Sequence, residues 1–156
     1  MSVVLLRAVE DDDLPFFFEW QADEESSRMA AVATRDEKAF AAHWARLRGE
    51  PDTTLRTIVA DAIVVGNALS WTGADDRMVG YWLGKAYWGR GIASVALRLF
   101  LEEERQRPLF ATVAEHNAGS RRVLEKAGFR PVSAKLVDDG PELRTFAELR
   151  FRLDES

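Results

Sequence analysis

Apolar and polar positions fall into blocks along the chain, and each block carries the period of one kind of element. Residues 3–9 (VVLLRAV) have the length and composition of a first strand. Asp13 and Pro15 then mark a helix start, an N-cap residue followed by a proline in the first turn, where its missing N–H costs little. Phe16, Phe17 and Trp20 recur at helical spacing, which predicts that they anchor this helix on the core. A second helix is predicted in DEKAFAAHWARLRG, opened by Asp36 and stopped at Gly49. The period then shortens. Residues 56–71 are rich in Ile, Val and Ala around a turn near Asp61, which predicts a hairpin, and MVGYWL (78–83) predicts one more strand. A helix from Gly91 to about Arg105 follows, closed by Pro108. LFATVAE reads as a buried strand, and NAGSRRVLEKAG as a helix between Asn117 and Gly128 with Val123, Leu124 and Ala127 on its buried face. The remainder reads as two strands about Asp138-Asp139-Gly140-Pro141.

The predicted order is β-α-α-β-β-β-α-β-α-β-β, an α/β chain with a mixed sheet. Antiparallel hairpins come first, and the crossover through the central helix makes two strands parallel. At 156 residues the chain reads as one domain spanning 1–156, with no repeat or linker. Its net charge of −5 argues against a general nucleic-acid binder. There is no cysteine, which excludes disulfides, thiolate metal sites and a cysteine nucleophile; no metal site is expected. No apolar run is long enough for a membrane span and no leader is legible, so the cytoplasm is the default location.

The chemistry concentrates in YWGRGIAS (87–94), where two glycines bracket Arg90 at the start of a helix. A helix N-terminus offers unpaired N–H groups and the positive end of the macrodipole, and glycine-bearing turns let such groups converge on an anion. On its own the turn is either a tight connector or an anion grip. A Walker loop is excluded, because no G-K-[ST] closes it. Gly89, Gly91 and Ser94 nearly spell a dinucleotide fingerprint, with Glu115 as a ribose-binding acid, yet the flanking hairpins and helices do not supply a doubly wound sheet.

A second motif decides between these readings. HNAGSRRVLEKAGFRPV places Asn117, Ser120, Arg122, Leu124, Glu125, Lys126, Gly128 and Phe129 in the pattern N-x-x-S-x-R-x-L-E-K-x-G-F. With VGYWLGKAYWGRGIASVAL upstream, the chain resembles the GCN5-related N-acetyltransferases (GNAT), specifically the branch like the ribosomal-protein N-terminal acetyltransferases. The two motifs cover roughly residues 79–131, and the predicted element order agrees with that fold.

The resemblance implies acetyl-CoA as co-substrate and a primary amine as acceptor, either a protein N-terminus or a small molecule. It maps the pyrophosphate-wrapping segment onto Trp88, Gly89, Arg90, Gly91, Ile92 and Ala93, extended by Ser94. Trp88 stands where Gln or Arg is more general. The family's preceding strand bulges and splays so that its main chain pairs with the pantetheine arm, a role that falls to Tyr81, Trp82 and Leu83. Asn117 is expected to bond the pantetheine region, Ser120 to lie near the thioester sulfur, and Arg122 to match the family's arginine. A homodimer is a further expectation, because relatives often dimerise.

The implied chemistry is direct attack of the amine on the thioester. An α-amine with a pKa near 7.8 is roughly a quarter neutral at pH ~7.3, whereas a lysine near 10.4 is only about 0.1% neutral. An α-amine therefore needs less help from a base. Glu115, closing the strand beside Asn117, is the candidate base; its plain alternative is a surface carboxylate. His116 is its neighbour, and His43 has no evident partner. Many relatives carry an acidic tyrosine where Leu124 stands here, which leaves a non-catalytic acyl-CoA-binding module as the rival reading. The acidic run Asp23-Glu24-Glu25 lies in the region that forms the acceptor wall, either attracting a cationic amine or simply solvated.

Overall fold

The computed structural model describes residues 2–138 and 145–155. Seven strands form one sheet in the order β1-β2-β3-β4-β5-β7-β6. They are β1 (Val4–Arg7), β2 (Thr54–Ala60), β3 (Ile63–Thr72), β4 (Arg77–Leu83), β5 (Leu109–Ala114), β6 (Arg130–Asp138) and β7 (Thr145–Leu153). Five helices accompany them: α1 (Leu14–Ala22), α2 (Glu24–Ala30), α3 (Glu37–Gly49), α4 (Ile92–Glu103) and α5 (Ala118–Lys126). All neighbouring strands are antiparallel except β4 and β5, which the α4 crossover makes parallel. The mixed sheet predicted from the sequence is therefore present. Of the final turn, Asp139, Gly140 and Pro141 lie outside the described residues. No helix among the described residues is long and apolar enough to cross a membrane.

The central strands bury both faces. Ile58, Ala60 and Val65 join Leu97 and Phe100 of α4 and Leu124 of α5 in one cluster. Leu55 and Val64, facing the other way by the two-residue strand period, pack with Phe17 of α1 and Phe40 and Trp44 of α3. Phe100 is wholly buried, and a phenylalanine buried in this way contributes roughly 1.5–3 kcal/mol. Asp61 and Ala62 both take positive φ, 51° and 67°, as the turn of the β2–β3 hairpin. That is the twist a two-residue hairpin needs.

Three expectations need correction. A helix, α2, lies where only an acidic run was read: Asp23 is its N-cap and accepts from the Ser26 N–H. Phe16 is 46% exposed, so Phe17 rather than both neighbours anchors α1. Asp13 precedes α1 but makes no side-chain cap. It is buried instead, receiving two hydrogen bonds from Arg7 at 2.8 Å, one from the Glu10 N–H and one from the Thr57 hydroxyl.

Asp13 thus ties β1, β2 and the entry to α1 together. Burial alone pushes its pKa up, but the Arg7, Glu10 and Thr57 bonds overcome this and hold it at about 2, below its ordinary 3.8. A carboxylate whose folded pKa is depressed stabilises the fold above its unfolded pKa and loses that contribution as pH falls through the folded value. The expected contribution is about 2 kcal/mol, full above roughly pH 5 and lost towards pH 2. Urea unfolding of Asp13→Asn should show a deficit of at least this size at pH 7 that shrinks at pH 3; a deficit constant with pH would assign the role to packing.

Candidate functional site

The sheet is divided by a gap at its centre. β4 pairs with β3 along its whole length, from Arg77 to Leu83, but with β5 only at Arg77 and Met78. β5 in turn pairs with β7 along its whole length, from Leu109 to Ala114. Beyond Met78 and Phe110 the two parallel strands part. The splay that the resemblance implied is present, whereas the bulge is not in this strand. The β3–β4 ladder runs without a register shift, and the shift in this half of the sheet lies between β2 and β3 at Ile58/Val59.

Charged side chains hold the closed end of the gap. Arg77 at the start of β4 donates to Glu104 at 2.8 Å, and both side chains are under 10% exposed. Burial pushes the Glu104 pKa up, and hydrogen bonds with Ser70, Arg77 and the Gln106 N–H more than reverse it. Asp76 pairs with Arg150 of β7, whose guanidinium stacks 4.2 Å from the ring centroid of Phe110 on β5.

The register also fixes which main-chain groups face the gap. The Gly84 N–H donates to the Val65 carbonyl at 2.9 Å, and main-chain groups along an antiparallel strand alternate sides. Gly80 and Trp82 therefore turn their N–H and C=O groups to β3, while Val79, Tyr81 and Leu83 turn theirs towards β5. The Leu83 carbonyl is already engaged, accepting from the Trp88 indole at 3.0 Å. Trp88 thereby pins the following turn to the end of β4.

That turn holds Gly89 at φ 77° and Gly91 at φ 76°. A Cβ on either would meet nothing within 4 Å, so glycine is required here by conformation rather than crowding. Gly91 is the N-cap of α4 and makes no side-chain cap. Ile92 is buried in the core, and Arg90 is exposed, its guanidinium 5.9 Å from the Tyr87 ring centroid.

Across the gap stands the start of α5. The Asn117 side chain accepts from the Ser120 N–H at 3.2 Å, so Asn117 is the N-cap. Tyr81 reaches over from β4, and its phenol hydroxyl is hydrogen-bonded to the Ser120 hydroxyl at 3.0 Å. Its burial raises the phenol pKa, and the Ser120 bond opposes this.

A cavity of about 410 Å³ joins these elements. Tyr81, Trp82 and Leu83 line it from β4, Trp88, Gly89 and Ala93 from the glycine turn and α4, and Asn117, Ser120 and Arg122 from α5. The Trp82 indole N–H is buried without a protein partner among the described residues. Arg90, Gly91, Ile92 and Ser94 belong to the same turn but are not on the wall. Glu115 is not on it either; its side chain is exposed. Leu124 is 3% exposed, in the core below α5.

Sequence reasoning did not find the wall opposite. Ser26, Met29 and Ala30 of α2 close that side, with His116 beside them. His116 Nε2 lies 3.1 Å from the Arg28 carbonyl, and its ring meets Phe146 edge-on. A carbonyl only accepts, so that nitrogen carries the proton and the histidine straps α2 to the β5–α5 loop. The acidic run is internally balanced. Asp23 caps α2, Glu24 pairs with Arg28, and Glu25 pairs with Lys85. No carboxylate lines the cavity among the described residues, and its charged lining side chain is Arg122. His43 lies away from it on α3, against Arg46.

The acetyltransferase (GNAT) domain family model matches residues 4–130, and the chain belongs to that family. A curated relative, the probable N-acetyltransferase YjcK of Bacillus subtilis (strain 168), is 32% identical over 106 residues. That match covers 65% of this chain and 55% of the relative, so the chain spans about half of that protein's length. Among solved structures, spermidine N-acetyltransferase from Vibrio cholerae, in complex with CoA and spermine, superposes with a TM-score of 0.85 at 12% identity, covering 97% of this chain and 95% of its own. Ribosomal-protein-alanine N-acetyltransferase from Brucella melitensis gives 0.81 at 19% identity, covering 96% and 99%. At these identities the solved structures establish a shared fold.

Proposed function

We propose that this protein transfers the acetyl group of acetyl-CoA to a primary amine. The observation that carries this reading is the gap between β4 and β5, opening beside a glycine turn and facing Asn117 and Ser120. An extended amide-bearing ligand arm is what such a strand edge pairs with. Tyr81 offers both an N–H and a C=O for it. The turn from Trp88 to Ser94 meets the pyrophosphate with the N-terminal N–H groups of α4. Acetyl-CoA supplies an activated acyl group; the Vibrio and Brucella proteins, one solved with CoA, share the fold that supports this assignment.

The acceptor enters on the α2 side, past Ser26, Met29, Ala30 and His116. Without a carboxylate on the described wall, the protein gains most from holding an amine that arrives already neutral, and proximity then supplies much of the acceleration. This favours an α-amine, of a peptide or a small molecule, over a polyamine. Glu115 as base is the weaker arrangement, because its exposed side chain stands off the wall.

Incubation with acetyl-CoA and a panel of amino-acid amides, short peptides, polyamines and aminoglycosides, read by thiol release, tests the reading. The expected result is release with α-amine acceptors, changed less than about twofold by Glu115→Gln. A hundredfold fall in that variant would make Glu115 the base. Tight CoA binding without release for any acceptor would select the non-catalytic module that Leu124 in place of a tyrosine suggests.

Gly91→Val probes the turn. A side chain at φ 76° costs roughly 1–2 kcal/mol of stability, while CoA affinity measured by calorimetry should fall by more than about tenfold. Unchanged affinity would remove the turn from the binding site.

A further inference from the structure

Resting on the acetyl-transfer reading, the hydroxyl chemistry of the cavity goes one step further. Among the described residues three hydroxyl side chains line it: Ser26, Tyr81 and Ser120. Ser26 is committed elsewhere, donating to Asp23 at 2.7 Å. The other two are bonded to each other across the gap, from β4 to α5, although they lie 39 positions apart in the chain. The phenol is the more acidic of the two hydroxyls and so the better donor, and with Tyr81 Oη donating and Ser120 Oγ accepting the serine keeps its own proton to give to a third atom. Its place is also fixed, because the Ser120 N–H is held by the Asn117 side chain. Leu124, one helical turn on, is sealed in the core and offers nothing to the cavity.

We propose that Tyr81 is a positioning residue for acetyl transfer, aiming and polarising the Ser120 hydroxyl so that its proton bonds the departing sulfur of the thioester. A donor that is itself receiving a hydrogen bond is strengthened by cooperativity. The phenol remains protonated through the neutral range, since burial raises its pKa.

The step balances without net transfer from either hydroxyl. The amine lone pair forms the C–N bond to the acetyl carbon, the C–S bond breaks, and its electron pair stays on sulfur. Ser120 O–H stabilises that charge while it develops. The nitrogen releases its proton to water, and the thiolate takes one back from water to give the thiol. Tyr81 and Ser120 end with the protons they began with.

The composition supplies a clean readout. The chain has no cysteine, so in a complex with CoA the ligand's thiol is the sole thiol present. The pH dependence of its alkylation by iodoacetamide therefore reports its pKa on the protein. In the wild type that pKa should lie about one unit below that of free CoA, by hydrogen bonding to the charged form. Tyr81→Phe, which keeps the ring, should return at least half of the shift. Ser120→Ala should return nearly all of it, and adding Tyr81→Phe to Ser120→Ala should change nothing further. In turnover, Tyr81→Phe should lower kcat about tenfold with the KM for acetyl-CoA unchanged.

A Tyr81→Phe profile superimposed on the wild type, or an equal shift in the Ser120→Ala background, would overturn the relay while leaving the acetyl-transfer reading intact. Loss of affinity in Tyr81→Phe with an unshifted thiol would assign Tyr81 to packing alone. Failure of wild-type protein to bind CoA in calorimetry would bring down the acetyl-transfer reading, and the relay with it.

Discussion

The structure depends on two parallel strands that pair at only two positions. In a continuous sheet, parting β4 from β5 leaves main-chain N–H and C=O groups without partners, and such groups are costly to bury. Each strand is held in place by full pairing on its other side, β4 with β3 and β5 with β7. The closed end is clamped by Arg77 with Glu104 and by Asp76 with Arg150, the latter stacked on Phe110. Removing one member of a buried pair leaves an uncompensated charge. The clamp therefore fixes where the strands begin to diverge, and with that the position of every group along the gap.

The remaining features of the site follow from this geometry. Trp88 spends its indole N–H on the Leu83 carbonyl, which ties the glycine turn to the tip of β4. Positive φ at Gly89 and Gly91 swings the chain into α4, whose first turn reaches the cavity at Ala93. On the far side Asn117 caps α5 and fixes Ser120, and Tyr81 bridges to it. His116 then straps α2 across the remaining side. A strand edge, a helix start and a hydroxyl pair thus meet around one cavity.

Much of this was legible in residue pattern. The glycine turn, the Asn117 cap and the hairpin at Asp61 are local features, set by residues a few positions apart. What was not legible depends on contacts distant in sequence. α2 has seven residues, and its buried positions include Ser26 and Ser27 rather than an apolar stripe, so its capping Asp23 read as part of a solvated acidic run. Asp13 looked like a cap and is instead a buried tie to Arg7 and Thr57, 44 positions away. Glu115 stands beside His116 and Asn117 in the chain, yet only those two face the cavity. Tyr81 was expected to serve through its main chain; its side-chain bond to Ser120 has no local signature.

Amide hydrogen exchange along β4 reports whether the parted strands hold the ligand. Gly80 and Trp82 direct their N–H groups into the β3 ladder, whereas Tyr81 directs its own into the gap. If the parted strands do, Tyr81 exchanges rapidly in the free protein and slows by about tenfold or more when CoA saturates it, with Gly80 and Trp82 slow in both states. A Tyr81 amide that exchanges equally fast with CoA bound would contradict this, because the parted strands would then not be what holds the ligand.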